Sequence, residues 1–347
     1  MKSNSKVFVI CPTLQVGGIA SVAITLHEEA ISQEFDSTLI TFYSAATEIG
    51  KYKEFVCGNF VQPKSLISRL FTFCRKVLWL KSEIRLKQDS YFLCLDPSSV
   101  LLVLLASGFS VSSRVIGACF TPKELLTRSD ILIIRHLFAK IRKVIVPSKH
   151  SKIQMESIDP YLKTLVVPCP LSAHAVRCSA INTRAKEIDV LFMGRLSKEK
   201  NPFMVLEIAE ASPSISFEIA GRGFLEESML ARIKESNLQN VDMVGWKEPE
   251  DFFPKSKILL MTSEHESFGL VVVEAWLHGL KVVASELSQG PKELITSFGN
   301  GVVVKDFSKS DWQAAIAHLV NIEREVNFER KILEEFGAFT VFGAWVD

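Results

Sequence analysis

Glu266 and Glu274 stand eight residues apart in EHESFGLVVVEAW (264–276), on either side of a Phe-Gly step and an unbroken apolar run. The stretch follows a strand-like KILLMTS. A helix beginning near Gly269 therefore leaves Glu266 in the preceding loop and puts Glu274 on the second turn, facing back toward the same opening. Peptide N–H groups at 268–270 are then free at a helix N-terminus, which favours anions. Such a stretch could hold a sugar, a phosphate and a ribose at once. The bare spacing fits a cap-side Glu266 with an exposed, idle Glu274 at least as well.

Two further loops carry chemistry-bearing residues. In DVLFMGRLSKEKNP a strand runs into a Gly194-Arg195 turn, and Lys198 and Lys200 precede a helix begun near Asn201-Pro202. Arginine offers a planar fork and lysine a point charge, so a diphosphate is the natural guest; solvated loop charges are the plainer alternative. In TLQVGGIA, Gly17 and Gly18 end the first strand and open a helix. Glycines there allow close backbone approach to a phosphate or sugar, but the full G-x-G-x-x-G is missing, and a simple tight turn fits equally.

These loops need strands to end on. Short apolar runs such as KVFVICPT, SYFLCLDP and KVIVPS alternate with helical patterns in the first half, and DVLFMGRL, SFEIAGRG, VDMVGW and KILLMTS do the same in the second. That grammar predicts α/β architecture: two doubly wound Rossmann-like domains, each a parallel sheet covered by helices on both faces. The small, polar SAHAVRCSAINTRAKEI (172–188) reads as a linker between a domain over 1–175 and one over 185–347. Two such domains facing each other across a cleft would oppose the carboxyl ends of their strands, where α/β folds bind ligands.

Composition narrows the function. With 347 residues, two domains are expected. A net charge of +1 argues against nucleic acid as the main partner, because neutralising many phosphates takes a basic excess. The seven cysteines form no C-x-x-C pair, which reads as core usage in a reducing compartment rather than a disulfide framework or a zinc site. No apolar run approaches the ~20 residues of a spanning helix, and a cytosolic, non-spanning protein is expected.

Taken together, GRLSKEKNP, FEIAGRG, VDMVGW, SEHESFGLVVVEAWLHGLKVVAS and GPKELI occur in the order and at about the spacing of the retaining family-4 glycosyltransferases, which have the GT-B fold. The chain resembles that family over essentially the whole second domain, and more loosely in the first through VGG, VIVPS and VVPCPL. The resemblance implies that Arg195 and Lys200 bind the donor diphosphate and stabilise charge building on it, that Glu266 binds sugar hydroxyls, and that Glu274 accepts from the ribose. It places Ser267, Phe268, Gly269 and Leu270 along the sugar and diphosphate, with Gly194, Gly221, Gly17 and Gly18 also lining the donor. The implied reaction is transfer of a hexose-type sugar from a nucleotide diphosphate, UDP by family habit, to a glycan or polyprenyl-diphosphate-linked acceptor in surface polysaccharide assembly (O-antigen, capsule or exopolysaccharide). The anomeric configuration is kept. No Asp-x-Asp occurs, so no metal ligands and no cofactor are expected.

The chain departs from the family's pattern at Cys119-Phe120, where relatives place a histidine, at Cys169 in place of asparagine, and at Arg222 in place of an acidic or small residue. The ending FGAFTVFGAWVD leaves little room for the terminal helix that crosses back to the first domain in relatives. A GT-B sugar-nucleotide epimerase and a catalytically silent scaffold subunit stay open as alternatives. Finally, residues 64–88 place Leu, Phe, Val and Trp at helical spacing with Arg69, Arg75, Lys76, Lys81 and Arg85, and a second basic stretch begins at Arg135. A helix both basic and apolar suits an anionic membrane surface, here the cytoplasmic face of the inner membrane; an ordinary packed helix is the alternative.

Overall fold

The computed structural model describes residues 5–14, 17–43, 54–63, 65–84, 90–181, 186–305, 308–322 and 328–346. The chain forms two compact units, Met1–Ser172 with Gly337–Asp347, and Ala173–Phe336.

The first unit runs β1 (Lys6–Cys11), α1 (Gly18–Ser32), β2 (Asp36–Tyr43), β3 (Phe55–Phe60), α2 (Leu66–Glu83), β4 (Ser90–Cys94), α3 (Pro97–Ala106), β5 (Val115–Ala118), α4 (Arg128–Leu137), β6 (Lys143–Val146), α5 (Lys149–Ile158) and β7 (Thr164–Val166). Its strands pair in the order β3-β2-β1-β4-β5-β6-β7, all parallel. The central strands are near-continuous apolar runs because helices cover both faces, and Phe8 of β1 stacks on Phe92 of β4 with ring centroids 5.2 Å apart. β3, at the sheet edge, is absent from the sequence-based strand list. Its FVCGNF carries Gly58 and a left-handed Asn59 (φ 50°), residues that dilute a strand pattern.

The second unit runs α6 (Ala173–Ile181), β8 (Ile188–Met193), α7 (Pro202–Glu210), β9 (Phe217–Ala220), α8 (Glu226–Glu235), β10 (Val241–Gly245), α9 (Pro249–Phe252), β11 (Ser256–Met261), α10 (Leu270–Leu277), β12 (Lys281–Ser285), α11 (Gln289–Phe298), β13 (Gly301–Val304), α12 (Lys309–Val320) and α13 (Phe328–Phe336). Its sheet, β10-β9-β8-β11-β12-β13, is again parallel throughout. Numbered within the unit this is 3-2-1-4-5-6, and strand order reverses between β8 and β11, the point at which such sheets bind ligands.

Two boundary expectations need correction. The stretch read as an irregular linker over 172–188 is helical at Ala173–Ile181, where Ala175 is buried; residues 182–185 lie outside the described residues. The second domain does not run to 347. A last helix, α14 (Ala338–Val346), belongs to the first unit and packs on α1. Phe342 meets Phe35 edge-on at 5.7 Å, Trp345 stacks on Phe120 at 6.4 Å, and the Lys143 ammonium donates to the Ala344 carbonyl (3.2 Å). There is therefore room for a return to the first unit. It takes two short helices, because the chain breaks at Gly337, where one long helix was looked for.

Candidate active site

The loops after β8 and β11 leave the second sheet at its switch point, and they carry most of the expected site residues. After β8, Gly194 and Arg195 lead into a 3-10 turn at Lys198–Lys200; Asn201 adopts the left-handed conformation (φ 46°) and Pro202 opens α7. After β11, Gly269 (φ 86°) N-caps α10 at Leu270, as the sequence predicts. No described side chain caps this end; the Val272 amide donates to the Gly269 carbonyl (2.9 Å), and the Leu270 and Val271 amides are left to meet an anion.

Three contacts tie the loops together. The Thr262 hydroxyl donates to the Lys200 carbonyl (2.9 Å), the Glu264 amide donates to the Glu199 carbonyl (2.9 Å), and the Lys200 ammonium is ion-paired to the Glu266 carboxylate. Lys200 and Glu266 are each about three-quarters buried, with side-chain exposures of 25% and 22%. In the ligand-free protein they neutralise each other. A diphosphate would give Lys200 another anionic partner, and a sugar would give Glu266 neutral hydroxyl donors in place of the ammonium. Arg195 is exposed on the same loop. It and Lys200 act on Glu199, whose carboxyl is held below the usual range: burial works the other way, but hydrogen bonds at Ser197 and its own backbone, with the two cations, outweigh it.

GPKELI braces the β11 loop from below. The Gly290 amide donates to the Glu266 carbonyl (2.9 Å) and the Ser288 hydroxyl to the Ser263 carbonyl (2.7 Å). A Cβ on Gly290 would come within 2.4 Å of the Phe268 nitrogen, and one on Gly269 within 2.8 Å of Pro291, so both glycines are needed for the loop and α11 to close on each other. The motif is visible in the sequence, but its bracing role is not. Thr262, Ser263 and Ser288 went unnoticed, because a bracing hydroxyl carries no spacing signature of its own.

The remaining residues divide by role. Phe268 is buried, its ring edge-on to Phe336 at 5.9 Å, so only its backbone can face a ligand. The Ser267 hydroxyl is buried with no hydrogen-bond partner among the described residues, which leaves a donor for a guest. Gly194 has open space where a Cβ would stand, whereas a Cβ on Gly221 would lie 1.9 Å from the Gly194 carbonyl oxygen. Gly221 thus lets the β8 and β9 loops touch, a packing role beneath the site. Arg222 extends that junction, its carbonyl accepting from the Leu196 amide (2.9 Å).

Glu274 lies on α10, whose apolar face is anchored by Trp276 against Phe298 and Phe328 (5.7 and 5.5 Å). Its carboxyl makes no hydrogen bond or ion pair with the described residues, and burial, aided by the field of Glu250, pushes its pKa up to about 7. A half-buried carboxyl with no partner among the described residues is costly, which makes Glu274 a candidate for binding a ligand.

In the first unit, Gly17 N-caps α1 and Gly18 begins it, with open space around the Gly18 Cβ position. At that sheet's own switch point, between β1 and β4, Asp96 caps α3 and accepts from the Ser98 and Ser99 amides (3.0 and 3.3 Å). Burial raises its pKa against those hydrogen bonds. Cys119 is buried beside it, its pKa pushed up to about 12 by burial, so no acid-base group replaces the expected histidine there.

Two Rossmann-like units, one with cations and carboxylates at its switch point, define a GT-B glycosyltransferase architecture. The family model for glycosyl transferases group 1 matches residues 179–335, which make up most of the second unit. The amylovoran biosynthesis glycosyltransferase AmsD of Erwinia amylovora is 25% identical over 344 residues, 95% of each chain. A Campylobacter jejuni alpha-1,4-N-acetyl-D-galactosaminyltransferase, named for an undecaprenol-diphosphate-linked acceptor, is 25% identical over 314 residues, 86% of this chain and 84% of its own. Among solved structures, Anabaena HepE in complex with UDP-glucose superposes with a TM-score of 0.74 at 15% identity, covering 99% of this chain and 98% of that one.

Proposed function

We propose that this glycosyltransferase moves a hexose-type sugar from a UDP-sugar to a hydroxyl of a glycan or lipid-linked oligosaccharide in surface polysaccharide assembly, with retention of anomeric configuration. The observation that carries this reading is the Lys200–Glu266 pair beside the uncapped N-terminus of α10. Lys200, Arg195 and the α10 amides fit a diphosphate, Glu266 the sugar hydroxyls, and Glu274 the ribose. As the bond from the anomeric carbon to the phosphate oxygen breaks, its electron pair stays on the diphosphate, where these donors stabilise it. The acceptor hydroxyl adds from the same face, and its proton passes to the departing phosphate oxygen. No protein nucleophile is required. The AmsD and Campylobacter relatives support the polysaccharide and lipid-linked setting, and HepE the nucleotide.

Incubation with a panel of UDP-sugars and a membrane lipid extract, read by mass spectrometry, tests this. A hexose-mass gain on a lipid-linked glycan is expected. Conversion of the nucleotide sugar without acceptor, or no turnover of any donor, would overturn it.

The acceptor side of the reading draws on α2. Ile67, Leu70, Phe71 and Leu78 are 84%, 68%, 63% and 69% exposed and form one stripe of the helix, flanked by exposed Arg69, Arg75 and Lys81. Lys76 does not belong to this face as expected; it donates to the Tyr43 hydroxyl (2.8 Å) and lies 4.0 Å over that ring. Lys64 and Arg85 fall outside the described side chains. No helix among the described residues is long and apolar enough to cross a membrane. Docking of the stripe on an anionic cytoplasmic leaflet predicts that Ile67→Asp with Phe71→Asp weakens binding to phosphatidylglycerol vesicles by about tenfold or more, since each lost apolar anchor is worth about 1.5–3 kcal/mol. Lys76→Gln should leave it unchanged. Co-sedimentation reads both.

A further inference from the structure

On the side of α10 where Glu274 feels the field of Glu250, α6 and α9 bring together three side chains of metal-binding type. We infer that His174, Cys178 and Glu250 form a site for a borderline-soft divalent cation, Zn²⁺ in class. His174 and Cys178 are four apart on α6, hence on one face, and Glu250 stands in the first turn of α9. The His174 Nε2 lies 3.4 Å from Glu250 Oε1 and 3.7 Å from Cys178 Sγ, and all three ligand atoms fall within 4.8 Å of one another.

Those separations match zinc geometry. With Zn–N and Zn–O near ~2.1 Å and Zn–S near ~2.3 Å, tetrahedral ligands stand about 3.4–3.6 Å apart. The nitrogen–oxygen and nitrogen–sulfur edges are already at that size. The donor set also decides the metal: a thiolate and an imidazole suit zinc, whereas magnesium and calcium require oxygen ligands. Three protein ligands leave a fourth position for water. The His174 side chain is 68% exposed, so an ion reaches the site from solvent without crossing the core. Bound there, it would pin α6 to α9.

No C-x-x-C pair marks this site in the sequence. The H-x-x-x-C half is written in AHAVRC, but its third ligand comes from a distant segment.

The test uses the full chain stripped of metal with a chelator and titrated with Co²⁺. A near-ultraviolet thiolate-to-cobalt charge-transfer band is expected, bleached by added Zn²⁺. Cys178→Ser should abolish the band, while Cys74→Ser, which removes the exposed cysteine on α2, should leave it intact. His174→Ala and Glu250→Gln should each weaken zinc binding by about tenfold or more. Circular dichroism without metal confirms that each variant folds, and a thermal shift with Zn²⁺ should occur in the wild-type protein and in Cys74→Ser and be smaller in the three ligand variants. A band that survives Cys178→Ser, zinc affinity unchanged in the other two variants, or binding at millimolar zinc only would overturn the inference.

Discussion

Replacing Lys200 by alanine is expected to lower kcat/KM for sugar transfer by about 10²–10³-fold, a loss of roughly 2.7–4 kcal/mol of transition-state stabilisation. Its backbone should hold, because the Lys200 carbonyl accepts from Thr262 and its amide donates to Ser197 (3.1 Å) independently of the side chain. The fall should therefore appear mainly in kcat, with circular dichroism unchanged, since charge on the diphosphate grows as the bond breaks. Lys200→Arg should recover only part, because a planar fork does not reproduce a point charge at this position. The partner gives a control of opposite sign. In Glu266→Gln the ammonium is no longer shared with a carboxylate, so UDP should bind more tightly even as transfer falls. Transfer within a few-fold of wild type in Lys200→Ala, or weaker UDP binding in Glu266→Gln, would remove the pair from the mechanism.

Much of this site was legible because its loops carry unusual residues at strand ends. Gly194-Arg195, the Lys198–Lys200 charges and the Phe-Gly step each interrupt an apolar run, and the helix starts at Pro202 and Leu270 followed from them. What no strand list contains is adjacency. That β8 lies beside β11 is a fact of pairing, and it is this pairing that sets Lys200 against Glu266. The roles of Gly221 and Gly290 were hidden for the same reason, since each is dictated by a neighbour distant in sequence. The return of α14 to the first unit was legible in principle. FGAFTVFGAW is too aromatic to stay in solvent, and Phe342 and Trp345 are buried. Its destination on α1 was not.

Glu274 offers the second strong test, because its environment sets stability against binding. A carboxyl raised from 4.5 to about 7 binds more protons folded than unfolded between those values, so the fold loses stability as pH rises through that window and keeps the loss above it. The shift corresponds to about 3 kcal/mol. Glu274→Gln should therefore stabilise the second unit at about pH 8 by up to that amount and change little below about pH 4.5, as read by urea unfolding with chelator present. Donor binding should move the other way. UDP-glucose has no ionisation of its own in this window, so its affinity for the wild-type protein should rise from about pH 6 to about pH 8 as the carboxylate forms and accepts from the ribose hydroxyls. In the glutamine variant, affinity should be flat with pH and weaker by about tenfold at the upper end, a lost charged hydrogen bond. A variant less stable than wild type at every pH would make Glu274 a structural residue. One more stable with donor affinity intact would leave its burial without a ligand to explain it.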